Sequence, residues 1–390
     1  MAAPLKVEPD LKFIREISAE GGDTLKKCFQ CATCSVVCSL SPQEKAFPRK
    51  EMLWAGWGLK DRLLSDPDIW LCHQCNDCSA NCPRGAKPGD TLAAIRNYAF
   101  RHFAFPAFLG KAAASKSGLI PLLLVPIVLL AVMLHFIHGG TLTSAGNWGI
   151  LNGPVNYSEF FPHKYLEGLF ISGNILIFAF LGISLFRFWN GLKHEAAGKK
   201  GPGFIPSVIN TAMEFVTHTK FRDCDVNKPR ATAHMLVAGG FIGAFITTGF
   251  VVLVLMGNKI LGIPAEVHHP VFELPHPVKI LGVLSGAAMI IGGWMMLSRR
   301  SSNPESVGPN LYADKLFLNM IFLTGLTGLL TYIGRLIGIP ILAYAIYYIH
   351  LVIVFFLLWY APYSKFAHIF YRTLALVWAK NAARGEARGA

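Results

Sequence analysis

Residues 28–38 read CFQCATCSVVC and residues 72–83 read CHQCNDCSANCP. Each run sets three cysteines two residues apart and a fourth three residues further on: Cys28, Cys31, Cys34 and Cys38, then Cys72, Cys75, Cys78 and Cys82. Pro83 follows the second run, whereas Ser39 follows the first. Three thiolates at this spacing wrap a loop around three irons of one cubane, and the next turn carries the fourth away. In a chain with two such runs the fourth cysteine reaches the other cubane. The expected ligand sets are therefore Cys28, Cys31 and Cys34 with Cys82, and Cys72, Cys75 and Cys78 with Cys38, each set holding one [4Fe–4S] cluster. Structural zinc takes two pairs of cysteines rather than quartets of this spacing. Disulfides are disfavoured by compartment. The opening MAAPLKVEPDLKFIREI has no apolar core of a cleavable signal, so the cysteines are expected in the reducing cytoplasm. Cys224 stands apart from the eight and reads as a free thiol near the cytoplasmic surface.

Outward from these runs the composition changes. Of 390 residues, 53% are apolar and only 15% charged, where a soluble domain carries about 25% charged residues. Residues 1–117 are polar enough for a cytoplasmic iron–sulfur domain, with helical patterns over Arg49–Leu64 and Thr91–Phe103. From Gly118 onward six stretches are long enough to cross a bilayer of about 30 Å. They are Leu119–His138, Leu166–Trp189, His234–Met256, Val278–Leu297, Leu316–Ile333 and Ile341–Tyr360, and the sixth is expected to run on as helix past Lys365. Lys and Arg gather in the connection between spans two and three, in that between spans four and five, and after span six. All three fall on one side if both termini are cytoplasmic. The same alternation assigns the net charge of +13 to membrane topology rather than to nucleic acid. Ile205–Phe221 reads as a short connecting helix, with an amphipathic surface helix as the alternative. The expected fold is all-α: a small helical two-[4Fe–4S], ferredoxin-like domain followed over residues 118–390 by a six-helix transmembrane haem b bundle.

Histidines within spans are functional candidates because ionisable groups are costly there, and imidazole is the usual axial ligand of low-spin haem iron. The chain has no Cys-x-x-Cys-His, so any haem is of b type. His350 and His368 lie eighteen residues apart, five turns of one helix, hence on one side of it and about 27 Å apart along its axis. That spacing suits one haem per leaflet. His234, opening the third span at the depth of His368, is its expected partner for the inner haem. For the outer haem, His350 is matched in depth by His135 and His138, and also by His163 and His276. His268 and His269 read as loop histidines.

Two resemblances extend this reading. The stretch from His350 through Trp359-Tyr-Ala-Pro-Tyr-Ser-Lys-Phe-Ala to His368, and Ile291-Gly-Gly-Trp-Met-Met-Leu-Ser-Arg-Arg300, resemble the gamma subunit of respiratory nitrate reductase from about the second span onward. This resemblance implies that His350, His368 and His234 ligate haem and that the first span is an addition. In it, Ala244 stands where that family has a second histidine. The cysteine domain resembles the small iron–sulfur (HdrC-type) component of heterodisulfide reductases. The fusion of the two halves resembles the corresponding QmoC-like component of quinone-interacting membrane-bound oxidoreductase complexes of sulfate reducers. The latter resemblance implies menaquinone as substrate, partners that are heterodisulfide-reductase-A-like flavoproteins, and exchange with enzymes such as adenylylsulfate reductase. His276 and Lys279, at the outer start of the fourth span, are candidates for the quinone contact, with interfacial anchoring by snorkelling as the competing reading. The paired Cys-Cys-Gly motifs of a catalytic heterodisulfide reductase are absent.

Overall fold

The computed structural model describes residues 8–42, 46–140, 148–192, 201–217, 228–261, 274–302 and 311–382; Cys224, His268 and His269 lie outside them. Among the described residues the fold is all-α, with no strand. The first part is built from short helices: α1 (Leu11–Ile17), α2 (Thr33–Val36), α3 (Arg49–Gly56), α4 (Lys60–Ser65), α5 (Asp68–Leu71), α6 (Asp77–Ala80), α7 (Pro88–Phe103) and α8 (Ala107–Ala114). The helical pattern over Arg49–Leu64 is thus two helices rather than one. Gly58 turns the chain between them with φ of +68°, and a Cβ there would lie 2.9 Å from the backbone nitrogen of Asp10. Only glycine fits both demands. The amide of Asp10 then donates to the Gly58 carbonyl at 3.1 Å, while its carboxylate caps α1 through the amide of Phe13 at 2.9 Å.

Lys50 joins α3 to the segment entering α5. Its ammonium lies 2.7 Å from Asp66, 2.8 Å from Asp68 and 3.3 Å from Glu51. All three carboxylates are buried, and the ammonium occupies the centre of the group. Burial, followed by the neighbouring Asp66, pushes the Glu51 carboxyl well above its usual range.

Among the described residues six helices are each long and apolar enough to cross a membrane. They are α9 (Leu119–His138), α11 (His163–Leu192), α13 (Lys228–Leu261), α14 (Pro277–Ser302), α15 (Tyr312–Ile337) and α16 (Pro340–Trp359), with the one-turn α10 (Tyr157–Phe160) before α11. They match the six expected stretches. Small residues bring three of them close: a Cβ on Gly240 or Gly243 of α13 would strike Ser285 of α14, and one on Gly325 of α15 would meet Gly286.

The last span does not run on as one helix. It ends at Trp359, and two 3₁₀ turns (Ala361–Tyr363 and Lys365–Ala367) intervene before α17 (His368–Asn381). Pro362 has no amide to continue the hydrogen-bond ladder and disfavours helical geometry in the residue before it. Tyr360 and Tyr363 anchor this corner by donating to the carbonyls of Leu122 and Phe105, at 3.1 and 2.8 Å. His350 and His368 therefore sit on different helices, and the single-axis separation of about 27 Å derived from an unbroken helix does not apply.

The core of the cysteine-bearing part continues into the long helices. Trp70 stacks on Tyr371 of α17 at 5.3 Å and meets Phe188 of α11 edge-on at 5.3 Å. Helix α12 (Phe204–Thr217) also packs on α17, and Lys380 pairs with Glu214 at 2.8 Å. It buries Ser207 and Thr211 and leaves Ile205, Ile209 and Met213 exposed. Over its described length, the stretch expected as a plain connector, Ile205–Phe221, is therefore amphipathic, with the apolar face outward.

Candidate functional site

The two cysteine runs fold alike. Gln30 and Ala32 in the first have φ of 60° and 69°, and their counterparts Gln74 and Asn76 have 52° and 68°. Four non-glycine residues in the left-handed region are uncommon and cost energy. They make each loop double back around a small cavity that its three cysteines line. The short helices α2 and α6 follow, and each carries its fourth cysteine across. Cys28, Cys31, Cys34 and Cys82 line one small cavity. Cys38, Cys72, Cys75 and Cys78 line another. Each cavity is thus lined by three cysteines of one run and the fourth of the other.

Donors to sulfur surround both cages. The amide of Gln74 reaches Cys72 Sγ, that of Ala86 reaches Cys82 Sγ, and Gln30 Nε2 reaches Cys28 Sγ, each at 3.3 Å. Burial pushes the Cys34 thiol up to about 11 and raises Cys78 as well. Thiolates in such a place need a cationic partner to offset desolvation. A quartet of thiols with amide donors aimed at sulfur fits a [4Fe–4S] cluster.

Beside the second cage lies a cavity of about 310 Å³, within the range of cofactor and ligand sites. The loop Cys72–Gln74 forms one wall. His234 of α13 and His368, the first residue of α17, both line it, among Val237, Phe241, Phe317, Ile321 and Phe366. His368 Nδ1 lies against the Lys365 carbonyl. With Nδ1 assigned as the donor, Nε2 keeps its lone pair for a metal. Burial lowers the His368 pKa to about 3, so the ring is neutral.

Five cations ring the same space: Arg96, Arg230, Arg300, Lys365 and Arg372. Three of them hold the cage loop. Arg96 donates to the Ile69 carbonyl at 2.8 Å and to Gln74 Oε1 at 2.7 Å, Arg230 to the Gln74 carbonyl at 2.7 Å, and Arg372 to the Leu71 carbonyl at 3.5 Å. Lys365 and Arg300 meet at Asp314, at 2.6 and 3.6 Å. Two imidazoles, apolar walls and cations able to meet carboxylates form a donor set that fits a b-type haem. Sequence reading misses these arginines as site residues. In the linear chain Arg230 and Arg300 carry only a topology signal, and their convergence is tertiary.

The other candidates are dispersed. His350 Nδ1 pairs with Thr327 Oγ1 of α15 at 2.9 Å, and a Cβ on Gly328 would stand 3.2 Å from its ring. Nothing in the sequence singles out Thr327. His135 is exposed at the end of α9. His138 is buried, stacked on Trp148 at 4.6 Å with Nε2 facing the Phe160 carbonyl at 3.1 Å. His163 pairs with Ser158 at 2.9 Å. His276 accepts the amide of Val278 at the start of α14, at 3.3 Å. Lys279 lies over the Tyr332 ring at 3.9 Å.

Fold and sites together define a two-cage iron–sulfur module built onto a bundle of six spanning-length helices. Comparison with known proteins gives this class a family. A 4Fe-4S dicluster domain model matches residues 24–86, and the citrate utilization protein B model matches residues 110–390. The chain belongs to the citrate utilization protein B family. Its curated relatives include citrate utilization protein B of Escherichia coli, 29% identical over 261 residues, which are 62% of this chain and 63% of that one. The cysteine module is similar to the C-type subunit of the H(2):CoB-CoM heterodisulfide,ferredoxin reductase of Methanothermobacter marburgensis. The two are 40% identical over 90 residues, 23% of this chain and 49% of the relative. It is also similar to a protein of Archaeoglobus profundus that is itself like the C-type subunit of heterodisulfide reductase, 37% identical over 87 residues, 22% and 46% of the two chains. The chain spans about half the length of the heterodisulfide reductase relatives that it matches. No solved structure matches it.

These findings correct one expectation. The family over the helical bundle is that of citrate utilization protein B, not the nitrate reductase gamma subunit. Its match begins at residue 110, ahead of α9, so the first span is part of the family region rather than an addition.

Proposed function

We propose that this chain is a membrane electron-transfer subunit that links menaquinol with cytoplasmic flavoprotein or iron–sulfur partners. Cys28, Cys31, Cys34 and Cys82 would hold one [4Fe–4S] cluster, Cys72, Cys75, Cys78 and Cys38 the other, and His234 with His368 a b haem. When bound, these groups supply one-electron storage, which divides the electron pair of a quinol. The chain's own part is positional. The observation that carries the reading is the shared wall: the loop of the second cage and both histidines border one cavity. Lys365 orients His368 through its carbonyl, and the arginines hold the Cys72 loop against that cavity while balancing the negative charge of a thiolate-ligated cluster. The six spanning-length helices support a location in the inner membrane, and the basic connections support cytoplasmic termini. His350 would serve an outer haem with a ligand from the first span, His135 or His138, and His276 and Lys279 would meet the quinone.

By resemblance to quinone-interacting oxidoreductases, the partners are heterodisulfide-reductase-A-like flavoproteins, with adenylylsulfate reductase beyond them in sulfate respiration. Similarity to the C-type subunit of heterodisulfide reductases supports a second reading, a membrane subunit of such a complex using another carrier. The visible spectrum of anaerobically purified full-length protein tests the proposal. Bands of b type, reducible by a menaquinol analogue, are expected. Protein with eight irons but no porphyrin sinks the haem reading, and zinc in place of iron sinks all of it.

A further inference from the structure

The two cages differ in what lies outside them. The second borders the histidine-lined cavity, and its Cys75, the counterpart of Cys31, is partly buried. The first opens to solvent: Cys31 is exposed, and the loop and helix α2 that form the cage present Phe29 and Val36, 67% and 65% exposed. Large apolar side chains so uncovered, on a segment whose backbone is committed to holding sulfur, mark a contact surface rather than core. Their surroundings are basic. Lys26 and Lys27 precede Cys28, Arg84 lies over the Phe29 ring at 4.1 Å, and Lys87 follows. All four cations are exposed, against the single exposed acid Asp23 in residues 23–36 and 81–88.

We infer that this face is the docking site of a soluble electron-transfer protein or subunit whose contact surface is acidic around an apolar centre. The apolar centre here is Phe29 with Val36, and the basic rim steers the approach. An acidic partner is favoured because opposite charge raises the association rate and orients the encounter, while Phe29 supplies a buried anchor of the kind that dominates such interfaces. The position suits the task. Cys31 is the thiol nearest solvent, so a partner seated over it comes close to the first cage without displacing any part of the fold. This inference rests on the reading that the cysteine module exchanges electrons with cytoplasmic partners.

The test uses the full-length protein in detergent and an acidic plant-type [2Fe–2S] ferredoxin as the probe. Each reduced ferredoxin gives up one electron and one oxidised cluster accepts it, so the rate is read by stopped flow. Basic cytochrome c, accepting one electron from dithionite-reduced protein, is the opposite-charge control. The expected result is a ferredoxin rate that falls about tenfold between low and high ionic strength. It should fall about as much at low salt in K26E/K27E and in R84E, while the same variants speed up cytochrome c. F29S should slow the ferredoxin reaction at every salt concentration. Rates in the charge-reversed variants equal to wild type, or a ferredoxin rate indifferent to salt, overturn the docking face. Iron content and the dithionite-reduced EPR signal, measured on the same samples, separate this outcome from failure of the electron-transfer reading, which would show as missing clusters.

Discussion

The two cysteine loops share spacing, left-handed backbone at equivalent residues and a short helix that carries the third cysteine, yet they occupy different environments. The first keeps Cys31 and Phe29 in solvent. The second is gripped by Arg96, Arg230 and Arg372 from three separate helices. Local sequence therefore sets how a cluster is held, and distant sequence sets what it faces. One spacing thus stands in two different surroundings.

Substitutions can break that contrast, beginning with the cages. Cys31→Ser and Cys78→Ser should each remove one cluster, about half of the protein's iron. Because Cys78 is buried and Cys31 exposed, only the former should also lower expression and thermal stability, as iron assay and a melting curve would show. Equal effects would mean that burial of the individual thiol does not decide the cost of its loss. His368→Ala should lose most of the b-type absorbance and leave the iron–sulfur signals in place. Unchanged haem content would refute the pairing of His368 with His234. Arg230→Gln removes a cation from the second cage alone. It should lower the midpoint potential of one cluster by on the order of tens of millivolts and leave the other untouched, as followed by an EPR-monitored titration.

The smallest effect concerns Asp90, in the first turn of α7, which lies between the cages. Pro88 lines the first cage and Gly89 the second. Burial raises the Asp90 pKa to about 6. A folded pKa above the unfolded value means that the stability from its protonated form is complete below about pH 4 and is lost as pH rises through 6. Asp90→Asn should therefore gain about 1–2 kcal/mol at pH 8 and progressively less toward pH 5. Thermal midpoints measured across that range check it, and a gain that grows on acidification would contradict the sign.

Much of this is legible in the chain itself. The six spans follow from apolar length alone, and the crossed quartets follow from x2, x2, x3 spacing repeated once. Pro362 is visible too, but apolar periodicity from Ile341 through Tyr360 outweighs it, which hides the break after Trp359. Gly58 splits the Arg49–Leu64 pattern because Asp10, forty-eight positions earlier in the chain, closes against it. Arg96, Arg230 and Arg372 cannot be grouped by any local rule, since 276 residues separate the first from the last. The partner that the structure gives His350 is the hydroxyl of Thr327, a residue type with no sequence signal for such a role.

The stacking of Trp70 on Tyr371, with Phe188 at its edge, has a mechanical outcome. The cysteine module is bolted to the end of the long helix α11 and to the shorter α17 instead of hanging from a tether, so it does not swing between donor and acceptor as a mobile arm. Whatever exchanges electrons with it must travel to a stationary port. For the same reason the module cut free near residue 117 would carry a raw aromatic face, and clumping of that fragment is the behaviour to anticipate.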